Sequence, residues 1–174
     1  MTTFEIKNHI EIDEGYQGFN LTEFLFTKDS NDTTDLIVDS FIRSMHFTFD
    51  SLRDVVKNDT ENKGYLRQAF VIDEINIDDF RKLEKSGTKQ FLIDFLNEPN
   101  WGDDRNEFAK LLDKYLEIHD QLPEADFYVI NKDWFEKDSK KLLEPENWVY
   151  TFYFLIIYVD KNLQKLILTE WTYD

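Results

Sequence analysis

Residues 148–173 read WVYTFYFLIIYVDKNLQKLILTEWTY, and this stretch decides the fold. From Trp148 to Val159 every residue except Thr151 is apolar or aromatic. The run is shorter than the about 20 residues that a membrane-spanning helix needs. It is also rich in Val, Ile, Phe and Tyr, which favour a pleated surface. The pattern therefore predicts a strand that is buried on both faces. Helices would cover one face, and a partner protein is a candidate for covering the other.

A turn and a second strand follow this run. Asp160, Lys161 and Asn162 are typical turn residues. Residues 165–173 then alternate between two faces, as a strand does. The whole stretch predicts a long C-terminal hairpin at the centre of a sheet. A second interpretation stays open, in which some of its aromatic side chains line a binding surface.

The composition indicates a folded, acidic protein. The chain has 174 residues, of which 41% are hydrophobic and 16% aromatic, so we expect one domain over residues 1–174 with a sizeable core. It has 36 acidic and 20 basic residues, for a formal net charge of −16, spread evenly over both halves. Such a charge repels nucleic acid and anionic membranes. The expected partner is a basic protein, with no direct binding of nucleic acid or membrane.

The absence of cysteine excludes disulfides, thiolate nucleophiles and cysteine-ligated zinc. The first residues, MTTFEIK, lack the basic start and apolar run of a secretory signal. We therefore expect a cytoplasmic protein.

Two segments near the N-terminus have clear periodicity. Residues 4–12 alternate as a strand that turns Phe4, Ile6, Ile10 and Ile12 inward, and residues 19–27 form a second strand after a turn at residues 15–18. Residues 33–57 predict one long amphipathic helix. Phe47 falls on its polar side. Either residues 45–49 are locally a strand, or Phe47 is exposed and available for contact; we favour the helix.

The rest of the chain predicts alternating elements. We expect a strand at 65–72, a helix that Asn76 caps and Gly87 ends, and renewed helix at 88–98. Asp104 and Glu107 resemble a capping box for a helix that runs to about Gln121. A strand at 125–131 and a helix from 134 to about 143 follow. The predicted fold class is α+β, with a mainly antiparallel sheet and helices packed on one face.

No catalytic, cofactor-binding or metal-binding motif stands out. The sequence lacks a Gly-x-Ser-x-Gly elbow, a phosphate-binding glycine loop and a His-Glu-x-x-His helix. His119 lies on an apolar helix stripe, which is typical of a core histidine. His9 shares a strand face with Glu5, Lys7 and Glu11, a row that is more typical of a solvated edge than of a proton-transfer pair. We therefore predict no catalytic residues, no cofactor and no metal.

The densest acidic tract runs from Asp103 to Asp126. A charged run is usually a solvated face. The more specific hypothesis is that this tract, with a nearby aromatic anchor, docks a basic partner, because carboxylates steer association and aromatic side chains supply buried contacts. The candidate partner-binding residues are Asp103, Asp104, Glu107, Asp113, Glu117, Asp120, Trp101, Trp134 and Phe47.

In size, acidity, lack of cysteine and abundance of aromatic residues, the chain resembles small bacterial immunity proteins. That resemblance implies a 1:1 complex that neutralises a cognate basic toxin or nuclease. It is carried by no motif, so it assigns no residue roles. Three alternatives stay open: a DNA mimic that inhibits a nucleic-acid-binding enzyme, a carboxylate- or His9-dependent enzyme, and an adaptor. The sequence leaves the oligomeric state open.

Overall fold

The computed structural model describes residues 2–29, 31–48, 65–66, 70–71, 75–99, 104–131 and 152–173. Within these ranges the strands are β1 Thr3–Glu14, β2 Gln17–Thr27, β3 Tyr65–Leu66, β4 Phe70–Val71, β5 Arg81–Leu83, β6 Asp126–Asn131, β7 Phe152–Asp160 and β8 Lys165–Tyr173. The helices are α1 Thr34–Ile42, α2 Met45–Thr48, α3 Lys85–Leu96 and α4 Arg105–Gln121, and Ile77–Asp79 form a 3-10 turn.

The predicted C-terminal hairpin is confirmed at the centre of the sheet. Six antiparallel strands lie in the order β1-β2-β8-β7-β6-β5, so β8 and β7 have neighbours on both sides. The turn between them is closed by Asp160, whose Oδ1 accepts hydrogen bonds from the backbone N–H of Asn162 at 2.8 Å and of Leu163 at 3.0 Å. Every residue of β7 is buried. This explains why its sequence is apolar at successive positions instead of alternating.

The α+β class with an antiparallel sheet is confirmed, but the helices lie on both faces and not on one. Even-numbered side chains of β7, such as Phe154, pack with α3 and α4. Odd-numbered side chains, such as Leu155, pack with α1 and Phe47. Two separate clusters therefore flank the sheet. The sequence left open that a partner covers the second face of β7, but helices of this chain pack on both faces.

A bulge in β1 places its apolar side chains on opposite faces of the sheet, although the sequence predicted that they share one face. Ile6 pairs with Phe24, but the next paired residue, Asn8, lies opposite Glu23, so Lys7 is extra. One extra residue reverses the alternation of a strand. Phe4 therefore packs on the face of α1, whereas Ile10 and Ile12 pack on the face of α4.

The long helix predicted over residues 33–57 is wrong in its length. α1 ends at Ile42, where Ser44 donates from both its backbone N–H and its hydroxyl to the carbonyl of Phe41, at 2.9 and 2.7 Å. A serine that bonds the backbone in this way competes with helix continuation. The short helix α2 then places Phe47 in the core, 1% exposed, against Phe41 and Phe80. The expectation that Phe47 is exposed is therefore wrong. Residues 49–57 lie outside the described part.

The segment after Asn76 differs from the predicted helix. Its cap is confirmed, because Asn76 and Asp79 form a reciprocal capping box, but the capped turn is only three residues long. Strand β5 follows because Arg81–Leu83 pair with β6. Helix α3 begins at Lys85, so Gly87 lies inside a helix and does not end one.

Helix α4 and strand β6 are confirmed close to their predicted bounds. The predicted capping box of α4 is wrong: Asp104 has a helical backbone and its side chain caps nothing. The described residues of the strand predicted at 65–72 belong to two antiparallel strands, β3 and β4; residues 67–69 and 72 lie outside the described part. The helix predicted from residue 134 lies outside the described residues.

Candidate partner-binding face

Helix α4 carries the predicted site residues that reach solvent. Its buried stripe consists of Phe108, Leu111, Leu112, Tyr115 and His119. Because side chains three and four residues apart share a helix face, burying this stripe turns Asp113, Glu117 and Asp120 outward. All three are exposed. We call Asp113, Glu117 and Asp120 the α4 outer face.

The charge of the α4 outer face is only partly neutralised. Asp120 pairs with Lys89 of α3 at 3.3 Å. Within the described part of the chain, Asp113 and Glu117 have neither an ion pair nor a hydrogen bond. The neighbouring cations of α4 are directed elsewhere, since Lys110 and Lys114 pair with Glu14 of β1 at 3.5 and 2.6 Å. Two unpaired carboxylates therefore face solvent one helical turn apart.

The two predicted residues at the start of α4 contact neighbouring elements of the chain. The Tyr173 hydroxyl donates to the Asp104 carboxylate, and Gln17 Nε2 donates to the Asp104 carbonyl at 2.9 Å. The hydrogen bond to Asp104 raises the pKa of Tyr173 to about 12. Glu107 packs against the turn at Gly15, where an added Cβ would lie 2.3 Å from its Oε1. Asp104 thus links the start of α4 to β2 and β8, and Glu107 lies against the turn between β1 and β2.

The remaining predicted residues do not join this face. Phe47 lies in the core on the opposite side of the sheet. Trp101, Asp103 and Trp134 fall outside the described residues. The structure therefore brings together Asp113, Glu117 and Asp120 from the predicted set, and the one predicted aromatic residue that it describes, Phe47, is buried.

His119 lies under the α4 outer face and is 1% exposed. Its Nδ1 is 3.4 Å from Asp120 Oδ1, and its Nε2 is buried with no hydrogen-bond partner in the described part of the chain. Burial lowers the pKa of His119, and the nearby ammonium of Lys85 adds to this, while Asp120 opposes it. The imidazole is therefore neutral at pH 7.

We predict a loss of stability on mild acidification that depends on His119. A lowered folded-state pKa means that the neutral imidazole stabilises the fold; this contribution is complete above about pH 6.5 and is lost as the pH falls towards the folded-state pKa. Urea denaturation between pH 7 and pH 5 should show this step. His119→Gln, which cannot titrate, should lack it, and the exposed-site control His9→Gln should keep it. An identical pH dependence in His119→Gln would contradict the assignment.

A polar cluster that the sequence did not indicate joins α1 to the sheet edge. Lys82 Nζ lies 3.0 Å from both Asp35 Oδ1 and Asp126 Oδ2, and the Tyr128 hydroxyl donates to Asp35. Burial, with the bond to Asp35, raises the pKa of Tyr128 to about 12. The hydrogen bond from Tyr128, then that from Lys82, lowers the pKa of Asp35. The pKa values of Tyr128 and Asp35 are thus both shifted further from pH 7, whereas an acid–base catalyst needs a pKa near the working pH. The cluster is therefore better described as a structural contact between α1 and the sheet.

His9 has two polar neighbours on the sheet edge. Its Nδ1 lies 2.8 Å from Thr22 Oγ1, and its Nε2 lies 3.1 Å from Glu11 Oε1. The imidazole and Glu11 are both exposed. A catalytic group of this kind works in a concave site that holds substrate. The row instead lies along an edge strand whose side chains are mostly exposed.

Within the described ranges, no three His, Asp or Glu side chains are grouped so as to hold a metal ion. None of the described helices is both long enough and apolar enough to cross a membrane. The fold and this face define an α+β protein with a six-stranded antiparallel sheet, helices on both faces and an acidic outer helix. No family model, curated protein or solved structure matches the chain.

Proposed function

We propose that this chain binds a basic protein partner through the α4 outer face and inhibits it, as an immunity-type protein does. The observation that carries the proposal is the pair Asp113 and Glu117, which are exposed and unpaired in the described part of the chain although Lys110 and Lys114 lie on the same helix. Their charge is available to an incoming cation.

The surrounding structure supports a rigid binding face. Burial of the apolar stripe holds α4 against β1 and β2. Lys85 Nζ donates to the carbonyls of Asp120 and Leu122 at 3.1 and 2.6 Å, which satisfies the C-terminal end of the helix. A helix held at both ends keeps its backbone in one arrangement, so binding loses little backbone entropy.

The net charge supports the sign of the partner. A formal charge of −16 attracts cationic surfaces over long distances and speeds encounter. Close contact then pairs Asp113 and Glu117 with Lys or Arg of the partner. The narrower role, neutralising a toxin or nuclease by covering its active site, rests on the resemblance in composition to immunity proteins.

The test begins with affinity capture of a basic protein, followed by reconstitution of the purified pair. We expect a 1:1 complex in native mass spectrometry and an association rate that falls as salt rises. Asp113→Asn with Glu117→Gln should slow association about tenfold at low salt, because both changes remove charge at the contact.

The matched control removes the same charge at two residues that do not belong to the α4 outer face, by Asp78→Asn in the 3-10 turn with Glu84→Gln directly before α3. Both of these carboxylates are exposed and lack partners in the described ranges. The control should change the rate by less than about twofold. Equal effects of the two double variants, or an association rate that does not respond to salt, would overturn the α4 outer face as the binding site. Competition by duplex DNA for the same partner would favour nucleic-acid mimicry over plugging of an active site.

A further inference from the structure

A groove of about 560 Å³ lies between the C-terminal half of α3 and the β5–β6 edge of the sheet. This volume is within the range of about 300–1,000 Å³ that is typical of small-molecule sites. The groove is distinct from the α4 outer face. Its lining residues are Asp79, Arg81, Phe91, Asp94, Phe95, Glu98, Val129 and Asn131.

The helix wall of the groove combines aromatic and acidic side chains. Phe91, Asp94, Phe95 and Glu98 recur at intervals of three and four, so they share one face of α3 and its C-terminal extension. Gln90 Nε2 donates to Asp94 Oδ1 at 2.7 Å and orients this carboxylate. The wall thus offers an apolar surface beside negative charge.

The strand wall carries the groove's hydrogen-bond donors, Arg81 and Asn131. Arg81 of β5 pairs with Val129 of β6, and Asn131 lies two residues further along the same face of β6. The Arg81 guanidinium lies 5.4 Å from the centre of the Phe91 ring. Within the described part of the chain, neither the guanidinium nor the Asn131 amide has a hydrogen-bond or ion-pair partner. Two donor groups therefore line the groove without an acceptor from the described residues.

We propose that this groove binds a small zwitterion with an apolar body, of the amino-acid class. The Arg81 fork binds the carboxylate in a bidentate manner, with the Asn131 amide as a further donor. The ammonium group pairs with Asp94 across the groove. The apolar body packs on Phe95 and Val129. A purely anionic ligand would meet the carboxylates of the helix wall, and a purely cationic ligand would meet Arg81 above Phe91, so a ligand with both charges matches both walls.

The experiment compares three related probes by saturation-transfer NMR and isothermal titration: L-phenylalanine, phenylacetate and phenethylamine. We expect L-phenylalanine to bind most tightly, because the other two each lack one charged group. Arg81→Gln should weaken binding of L-phenylalanine about tenfold or more through loss of the charged hydrogen bonds. Asp94→Asn should weaken the binding of L-phenylalanine, which loses the partner of its ammonium group, but should not weaken the binding of phenylacetate, which the Asp94 carboxylate repels. The control Arg43→Gln, at an exposed arginine that directly follows α1 and pairs with Asp39, should leave every affinity unchanged.

Three results would overturn the proposal. These are no binding of any probe, phenethylamine binding as tightly as L-phenylalanine, and an affinity for L-phenylalanine that does not respond to Arg81→Gln. None of them bears on the α4 outer face. Failure of the zwitterion site and failure of the proposed partner binding are therefore separate outcomes.

Discussion

Replacing Trp171 with alanine is expected to lower the free energy of unfolding by about 3–5 kcal/mol. Trp171 is 0% exposed and is surrounded by rings. Its ring centre lies 4.9–5.5 Å from those of Phe19, Phe108, Tyr115 and Phe154. The substitution opens a cavity among side chains from β2, α4 and β7, which cannot all collapse into it. Since a domain is stabilised by about 5–15 kcal/mol in total, the loss is a large share.

Urea denaturation followed by circular dichroism measures this loss. Leu163→Ala is the control, because Leu163 is 53% exposed in the turn before β8, and it should change stability by less than about 0.5 kcal/mol. Trp171→Phe should cost less than Trp171→Ala, since the indole Nε1 makes no hydrogen bond in the described part of the chain and its removal leaves no acceptor unpaired. A stability of Trp171→Ala within about 1 kcal/mol of the unsubstituted chain would contradict this packing.

Replacing Phe41 with alanine should also cost about 3–5 kcal/mol, on the opposite face of the sheet. Phe41 is 0% exposed, and its ring centre lies 5.1 Å from that of Phe4, 4.9 Å from that of Phe24 and 5.7 Å from that of Phe47. This residue connects α1 and α2 to β1 and β2. Its loss therefore weakens the attachment of both helices.

Native-state hydrogen exchange separates this effect from the effect of Trp171→Ala. Because the sheet lies between the two clusters, Phe41→Ala should reduce amide protection in α1 more than in α4. Leu36→Ala, on the same helix but 54% exposed, is the matched control and should change stability by less than about 0.5 kcal/mol. Equal loss of protection in α1 and α4 would show that the two clusters unfold as one unit.

The elements that were predicted correctly have local causes. The β7–β8 hairpin follows from an apolar run, a turn residue and an alternating return strand. The turn residue is Asp160, whose side chain accepts hydrogen bonds from the backbone N–H groups two and three residues ahead. Helix α4 follows from its apolar stripe. In both cases the period of the sequence matches the period of the structure, and burial of the apolar residues decides the outcome.

The errors have causes that a local pattern does not contain. The β1 bulge is defined by the pairing of β1 with β2, which the sequence of β1 alone does not contain. β5 is a strand because β6 pairs with it. Phe47 is buried because the chain turns at Ser44 and meets Phe80. Each depends on a contact between residues distant along the chain or on a single bond that ends a helix.

The candidate sites divide in the same way. The sequence alone determined that Asp113, Glu117 and Asp120 share the polar side of an amphipathic helix, because helical spacing and burial of the opposite stripe are local properties. Only the tertiary structure decided which of these carboxylates lack a partner among the described residues, since Lys89 comes from another helix and Lys110 and Lys114 pair with Glu14. It likewise brought Arg81 to Phe91. Charges and rings far apart in sequence meet only when the sheet places their elements side by side.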